Sequence, residues 1–381
     1  MVVQEKGSTR ASIYSPRTTA SRGWAKLRPH IEKLPLRLYP DRVDVPYHTQ
    51  WVPDRLDATV RSFDPDIVHL HWICEGFLQV ETLADFNRPI VWTLHDMWAM
   101  TGGCHYSGDC NRYRDRCGSC PKLGSSMEAD LSRLTWIRKK RAWEDVDLTI
   151  VTPSRWLAQC AHSSTLLGHF PIEVIPYGID LDVYKPVSRT EARRILNLPP
   201  EPSLILFGAM NPTQNQRKGF DLLLEALNDL EMRESPLEPE LVVFGNSSTS
   251  QELTSAFRAH YLGQFSDDEA LALLYSAADV FVAPSRRDNL PLSVQESLAC
   301  GTPVVAFDIG GMPDMISHRS NGYLADPYDS EDLATGIAWC LREDRREELS
   351  EAARTTACDK FSLERNAEAY VDLYRRIANR K

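Results

Sequence analysis

The 381-residue chain predicts an α/β fold of two doubly wound, Rossmann-like domains facing a cleft. Three observations carry this. In the second half, short unbroken runs of Val, Ile, Leu and Phe alternate with helix-patterned segments, the signature of parallel strands buried on both faces. The first half repeats the alternation less completely. Polar or charged residues also stand directly after several strands, where the ligands of such sheets bind.

Taken in order, the first fifty residues are weakly patterned and rich in Arg, Ser, Thr and Pro. Helices are predicted near 53–63, 79–86, 127–144 and 154–162, with strands at 66–71, 89–94 and 148–151. A boundary falls between Pro171 and Pro186. Beyond it, strands are predicted at 204–208, 241–245, 260–263, 279–283, 303–307 and 322–325, and helices at 220–231 and 291–299. Ser266-Asp-Asp-Glu269 reads as a capping box opening a helix that ends near Ala277. The domains are then 1–172 and 173–361, with the last helix, about 362–381, packing back on the first domain. No internal repeat stands out.

Apolar residues make up 43% and charged residues 25%, an ordinary globular composition. No apolar run approaches the roughly 18 residues of a membrane span. Met1-Val-Val-Gln-Glu-Lys6 lacks the apolar core and cleavage site of an export signal. A cytoplasmic location is therefore expected, and the nine cysteines are not read as a secreted disulfide framework. Net charge is +3 over residues 1–172 and −13 over the rest. Basic residues cluster at 22–42 and 133–141, either as solvated helix faces or as a surface for anionic lipid at the inner face of the plasma membrane. Nucleic acid is not an expected partner, because no aromatic residues interleave those patches.

Two segments carry the candidate chemistry. Arg217-Lys218-Gly219 stands just before a predicted helix, whose free N–H groups and dipole already favour anions; two cations there make a diphosphate site. Alone, the same tripeptide is an ordinary surface feature. Asp288 on a loop and Glu296 in the second turn of the next helix are separated by seven residues, between two strands. A carboxylate accepts hydrogen bonds from two neighbouring hydroxyls at once, so the pair suits a nucleotide-sugar ligand. His95 follows a strand and reads either as a backbone-satisfied histidine or as a cleft residue. Cys104, Cys110, Cys117 and Cys120, closing in C-x₂-C, suit a structural zinc; free or partly bridged thiols and a redox or iron–sulfur role fit the same spacing.

Read together, these strings resemble glycosyltransferase family 4, retaining enzymes of the GT-B fold. The resemblance rests on the D-x₇-E element at 288–296, Arg217-Lys-Gly-Phe-Asp-Leu-Leu223, Leu274-Tyr-Ser-Ala-Ala-Asp-Val-Phe-Val-Ala-Pro-Ser285, Asp308-Ile-Gly-Gly-Met-Pro-Asp314, His69-Leu-His-Trp72 and Trp92-Thr-Leu-His-Asp-Met-Trp98. Within the family it is similar to enzymes of bacterial exopolysaccharide assembly of the colanic-acid kind. The resemblance implies transfer of a hexosyl group from a nucleotide-diphosphate sugar to a saccharide acceptor, expected to be lipid-linked. Lys218 and Arg217, with Gly219, would hold the diphosphate, and Glu296 the ribose hydroxyls. Asp288 would meet hydroxyls of the transferred sugar, Asn289 and Leu290 would join the donor pocket, and the Gly310-Gly311 turn would bring backbone close to the sugar. His95 would contact donor sugar or acceptor, forming with Asp288 and Glu296 the catalytic set. No metal or other cofactor is required for catalysis on this reading, and no Asp-x-Asp motif is present.

Three departures from the family pattern stand out. Asp288 occupies a position where the family usually has Glu. Gly208 is followed by Ala209 and Met210, without the usual strand-end Arg. Met1-Val-Val-Gln4 reads as the family's second strand, so the first strand-loop-helix unit is missing, and a start lying upstream is expected. Two other readings remain: a GT-B epimerase or phosphorylase, and a truncated, non-catalytic sugar-nucleotide-binding subunit.

Overall fold

The computed structural model describes residues 1–4, 12–15, 18–208, 216–232, 238–245 and 257–380. They form two compact units. Met1–Pro153, Leu157–Val174 and Leu373–Lys381 make up the first, and Ser154–Trp156 with Ile175–Asp372 the second. Ala209 and Met210, in the loop without the strand-end Arg, lie outside the described residues.

The first unit holds four parallel strands in the order β1 Val68–Leu70, β2 Ile90–Thr93, β3 Leu148–Thr152 and β4 Ile172–Val174. Central β2 and β3 are buried along their whole length, as continuous apolar runs demand. Met1-Val-Val-Gln4 does not join this sheet. Val2 makes only an isolated bridge to Tyr14, and β1 ends the sheet among the described residues. The helix expected at 79–86 shrinks to Thr82–Asp85. In its expected first turn, Gln79 donates to Asp54 Oδ2 at 2.7 Å and Val80 to the Gln50 carbonyl at 3.2 Å.

In the second unit six parallel strands run in the order β10-β9-β8-β5-β6-β7, where β5 is Leu204–Gly208, β6 Glu240–Phe244, β7 Ala259–Tyr261, β8 Val280–Ala283, β9 Val304–Phe307 and β10 Gly322–Ala325. Alternation along each strand divides the core in two. Leu204, Leu206, Phe281, Ala283, Val304 and Ala306 pack on one face, and Ile205, Phe207, Val280, Val282, Val305 and Phe307 on the other. Helices Asp268–Ala277, Leu292–Ala299 and Arg346–Lys360 cover the first face; Phe220–Met232 and Ser330–Cys340 cover the second. Each such fully buried Leu, Val or Phe contributes about 1.5–3 kcal/mol. The cap of helix Asp268–Ala277 is Asp267, whose carboxylate accepts the Ala270 N–H at 2.9 Å, not the expected Ser266.

The basic run at 133–141 lies on helix Leu131–Trp143, but little of it faces solvent. Arg133 pairs with Glu128, and Arg138 forms a two-pronged pair with Glu81. Lys139 is fully buried, donating to the carbonyls of Trp98 and Thr101 with its ammonium 3.4 Å from the Trp98 ring centroid. Only Lys140 and Arg141 of the five are exposed. No helix among the described residues is long and apolar enough to cross a membrane.

Candidate functional site

Strand order in the second unit creates one topological switch point, between β5 and β8, where connections leave the sheet in opposite directions. The loops after these two strands carry Arg217, Lys218 and Asp288. Their side chains meet. Lys218 Nζ lies 2.7 Å from Asp288 Oδ2, and Arg217 Nη1 lies 3.0 Å from Oδ1. Ser285 Oγ donates to Oδ2 at 3.1 Å, and Arg217 also donates to the Arg287 carbonyl at 2.9 Å. Asp288 is only 8% exposed. Burial works to raise its pKa, but Lys218 and Arg217 together outweigh that and hold it below the usual carboxylate range.

Glycines set the closeness of this loop cluster. Gly219 has φ +68°, and a Cβ there would meet the Pro284 carbonyl oxygen at 1.9 Å. The Gly310-Gly311 turn after β9 lies against the backbone of the 288–289 loop. Cβ atoms at these two positions would meet the Asp288 and Asn289 carbonyl oxygens at 2.0 and 1.8 Å. Asn289 and Leu290 are buried beside it, and Ser154 Oγ donates to Asn289 Oδ1 at 2.6 Å. Glu296 lies on helix Leu292–Ala299, where its Oε2 accepts the Tyr275 hydroxyl at 2.8 Å. Burial raises the Glu296 pKa, and the Tyr275 hydroxyl pulls it part of the way back. Chemically, the cluster offers two cations, a helix start and the Asp288 carboxylate, the donors and acceptors that a diphosphate and sugar hydroxyls need. Glu296 is a second carboxylate on the next helix, bonded to Tyr275 and not to this cluster.

His95 belongs to the first unit, immediately after β2. Its Nε2 lies 3.1 Å from His71 Nδ1, with the rings stacked. His69 on β1 continues the row, contacting Tyr374 Oη at 2.6 Å and Thr93 Oγ1 at 2.8 Å. Burial, with His71 adding to it, lowers the His95 pKa to about 4, and burial lowers His69 to about 3. Burial thus holds these rings in the neutral form. Asp96 turns away to other partners, accepting from the Trp98 N–H at 2.8 Å and facing His105 Nδ1 at 2.6 Å.

Cys104, Cys110, Cys117 and Cys120 line one small cavity as free thiols, and the Gly102 N–H donates to Cys117 Sγ at 3.1 Å. They are not drawn to a common point. Among the described residues, the His, Cys, Asp or Glu ligand atoms that gather within 4.8 Å of one another belong to His48, Cys74 and His105 instead.

Sequence reasoning gave no role to His71, Tyr275 or Ser154, the partners of His95, Glu296 and Asn289. His71 and Tyr275 stand inside the strings that carry the family resemblance, so a signal existed for both. Ser154 had none, because its contact with Asn289 spans 135 residues.

The family described as "Glycosyl transferases group 1" matches residues 188–356, and "Glycosyltransferase Family 4" matches residues 11–183. A D-inositol 3-phosphate glycosyltransferase of Saccharomonospora viridis is 30% identical over 81% of this chain and 70% of its own length. One from Mycolicibacterium smegmatis is 28% identical over 84% and 70%. Among solved structures, sucrose-phosphate synthase from Thermosynechococcus elongatus superposes with a TM-score of 0.66 at 23% identity, covering 86% of this chain and 77% of the other. Anabaena HepE, solved in complex with UDP and glucose, gives 0.58 at 19%, covering 84% and 80%. Two parallel Rossmann-like sheets and these neighbours define the GT-B fold.

Proposed function

Since the chain belongs to the glycosyltransferases of the group 1 and family 4 type, we propose that it transfers a hexosyl group from a nucleotide-diphosphate sugar to a saccharide hydroxyl, with retention at the anomeric carbon. The observation that carries this is the convergence of Arg217, Lys218 and Asp288 at the switch point of the second sheet. On this reading the donor diphosphate takes Lys218 and Arg217 from Asp288, freeing that carboxylate for the sugar hydroxyls. Glu296 accepts from the ribose hydroxyls, and Gly219, Asn289, Leu290, Gly310 and Gly311 let the donor lie close to backbone.

The reaction then needs no protein nucleophile. The bond from the anomeric carbon to the diphosphate oxygen breaks, and the acceptor oxygen bonds to that carbon on the same face. The acceptor's proton passes to the departing diphosphate. Lys218, Arg217 and the adjoining helix start stabilise the charge that develops there, the kind of preorganised term worth about 10²–10³ in rate per donor. His95, neutral and backed by His71, orients the acceptor hydroxyl.

The acceptor is the open part. Curated relatives are named for D-inositol 3-phosphate rather than for exopolysaccharide or colanic-acid assembly, which favours a phosphorylated polyol as a second reading. The crevice beside His95, about 20 Å³ and so water-sized, is lined by His71, Trp72, Cys74, Trp92, Asp96 and Trp98 with no lysine or arginine, and that lack of cations is all that favours a neutral saccharide. A phosphate ester calls for cations there. Contact with anionic membrane is left with Lys140 and Arg141 on helix Leu131–Trp143 and the segment 22–42 as its candidates. A panel of nucleotide sugars against neutral saccharides and inositol phosphate, with the product anomer read by NMR, tests all of this. Retained configuration on a saccharide is the expected result. Inversion, or turnover without acceptor, would discard the reading, and turnover on inositol phosphate alone would replace the acceptor.

A further inference from the structure

The first unit brings together a second set of chemistry-bearing residues that plays no part in the proposed transfer. His48 lies in the extended chain preceding the 56–63 helix, Cys74 in the turn after β1, and His105 in the cysteine-rich loop after β2. All three are buried, at 5%, 2% and 7% exposure, and their ligand atoms lie within 4.8 Å of one another.

The hydrogen bonding around them is informative. Asp96 Oδ2 sits 2.6 Å from His105 Nδ1, the carboxylate–histidine arrangement that fixes a tautomer and points the other ring nitrogen at a ligand. With Nδ1–H committed to Asp96, His105 Nε2 carries a lone pair. That nitrogen faces His48 Nδ1 at 2.6 Å. Two lone pairs cannot meet at that distance, so the gap holds either one proton, on His48, or a cation in its place. Cys74 Sγ lies beside the same gap, and a thiol supplies a sulfur ligand once its proton leaves.

We propose that His48 Nδ1, Cys74 Sγ and His105 Nε2 bind a zinc ion, with Asp96 as the outer carboxylate on His105. Two imidazoles and a thiolate suit a borderline-soft ion and disfavour calcium or magnesium, which take oxygen ligands. Zn–N bonds of about 2.0–2.1 Å in a tetrahedron set the two nitrogens roughly 3.3 Å apart, so the rings need separate by only some tenths of an ångström. Binding releases the proton of Cys74, while the His48 proton moves from Nδ1 to Nε2, so that both rings ligate as neutral imidazoles. Three protein ligands leave one tetrahedral position open. The ion ties three segments distant in sequence and holds the loop that begins at His95-Asp96, so Asp96 becomes a positioning residue through His105.

Metal analysis of the full chain purified with zinc chloride and then desalted tests this, alongside Cys74→Ser, His48→Gln and Cys117→Ser. The expected result is about one equivalent of zinc in the parent and in Cys117→Ser, and at least a tenfold loss in Cys74→Ser and His48→Gln. Zinc retained in Cys74→Ser, zinc lost only from Cys117→Ser, or no zinc in the parent overturns the proposal; the second outcome would move the site to the four-cysteine loop. Should a variant fail to fold, cobalt(II) loaded into the parent decides alone. One thiolate gives a single weak sulfur-to-cobalt band per ion, whereas four give several-fold stronger absorption and would contradict the assignment.

Discussion

Both oxygens of Asp288 are engaged, one with Arg217 and the other with Lys218 and Ser285, so this acid competes with a diphosphate for the same two cations. That makes an unusual forecast for Asp288→Asn. Removing the charge frees the cations, so nucleoside diphosphate should bind at least as tightly by calorimetry, while transfer slows about 10²-fold because the sugar loses its carboxylate. Equal losses in both would assign Asp288 to holding the loop alone. The histidine row carries a pH signature. Folding lowers His95 to about 4 and His69 to about 3, so between the ordinary value near 6.5 and those values the unfolded chain binds protons that the folded one does not. Their contribution is complete above about pH 6.5 and is lost as pH falls toward 4 and below. The urea midpoint should therefore be lower at pH 5 than at pH 7.5, and His69→Gln should flatten that slope; a slope unchanged by the substitution would remove His69 from the account.

At the scale of elements, much was legible where one rule acted alone. Continuous apolar runs located β5, β8 and β9, whose short length, bounding turn signals and Val, Ile and Phe content favour a strand over a buried helix. Failures came where two local signals competed or where a distant partner decided. Ser266 and Asp267 both qualify as caps, and the chain uses Asp267. Asp267→Ala should thus lower stability by about 1 kcal/mol and Ser266→Ala by far less, as read by urea denaturation. The helix expected at 79–86 starts only at Thr82, and its expected first turn is tied to Asp54 and Gln50, distant partners that no local pattern announces. Lys139 looked like one of five surface charges, yet its burial depends on Trp98, forty-one residues away. Of the candidate site, Arg217, Lys218, Asp288 and Glu296 were readable from spacing around strands. The gathering of His48, Cys74 and His105 was not, since its members are scattered over three segments.

Across the whole molecule, the residues proposed to hold the donor diphosphate all lie in the second unit. Nucleoside diphosphate at about a hundred times its Kd should stabilise the protein by about 2.7 kcal/mol. Amide exchange should slow at the end of β5, along 284–296 and at 308–312, and stay unchanged in β1 to β4. Protection confined to the first unit would reverse the assignment. The most direct measurement is nucleoside-diphosphate release during transfer, comparing the parent chain with Lys218→Ala and Glu296→Gln. The account predicts a fall in kcat/KM of about 10²–10³ for Lys218→Ala and of at least about tenfold for Glu296→Gln, where the amide keeps the Tyr275 bond and loses only the charge. If both variants release diphosphate at the parent's rate, the switch point of the second sheet is not where the donor is held.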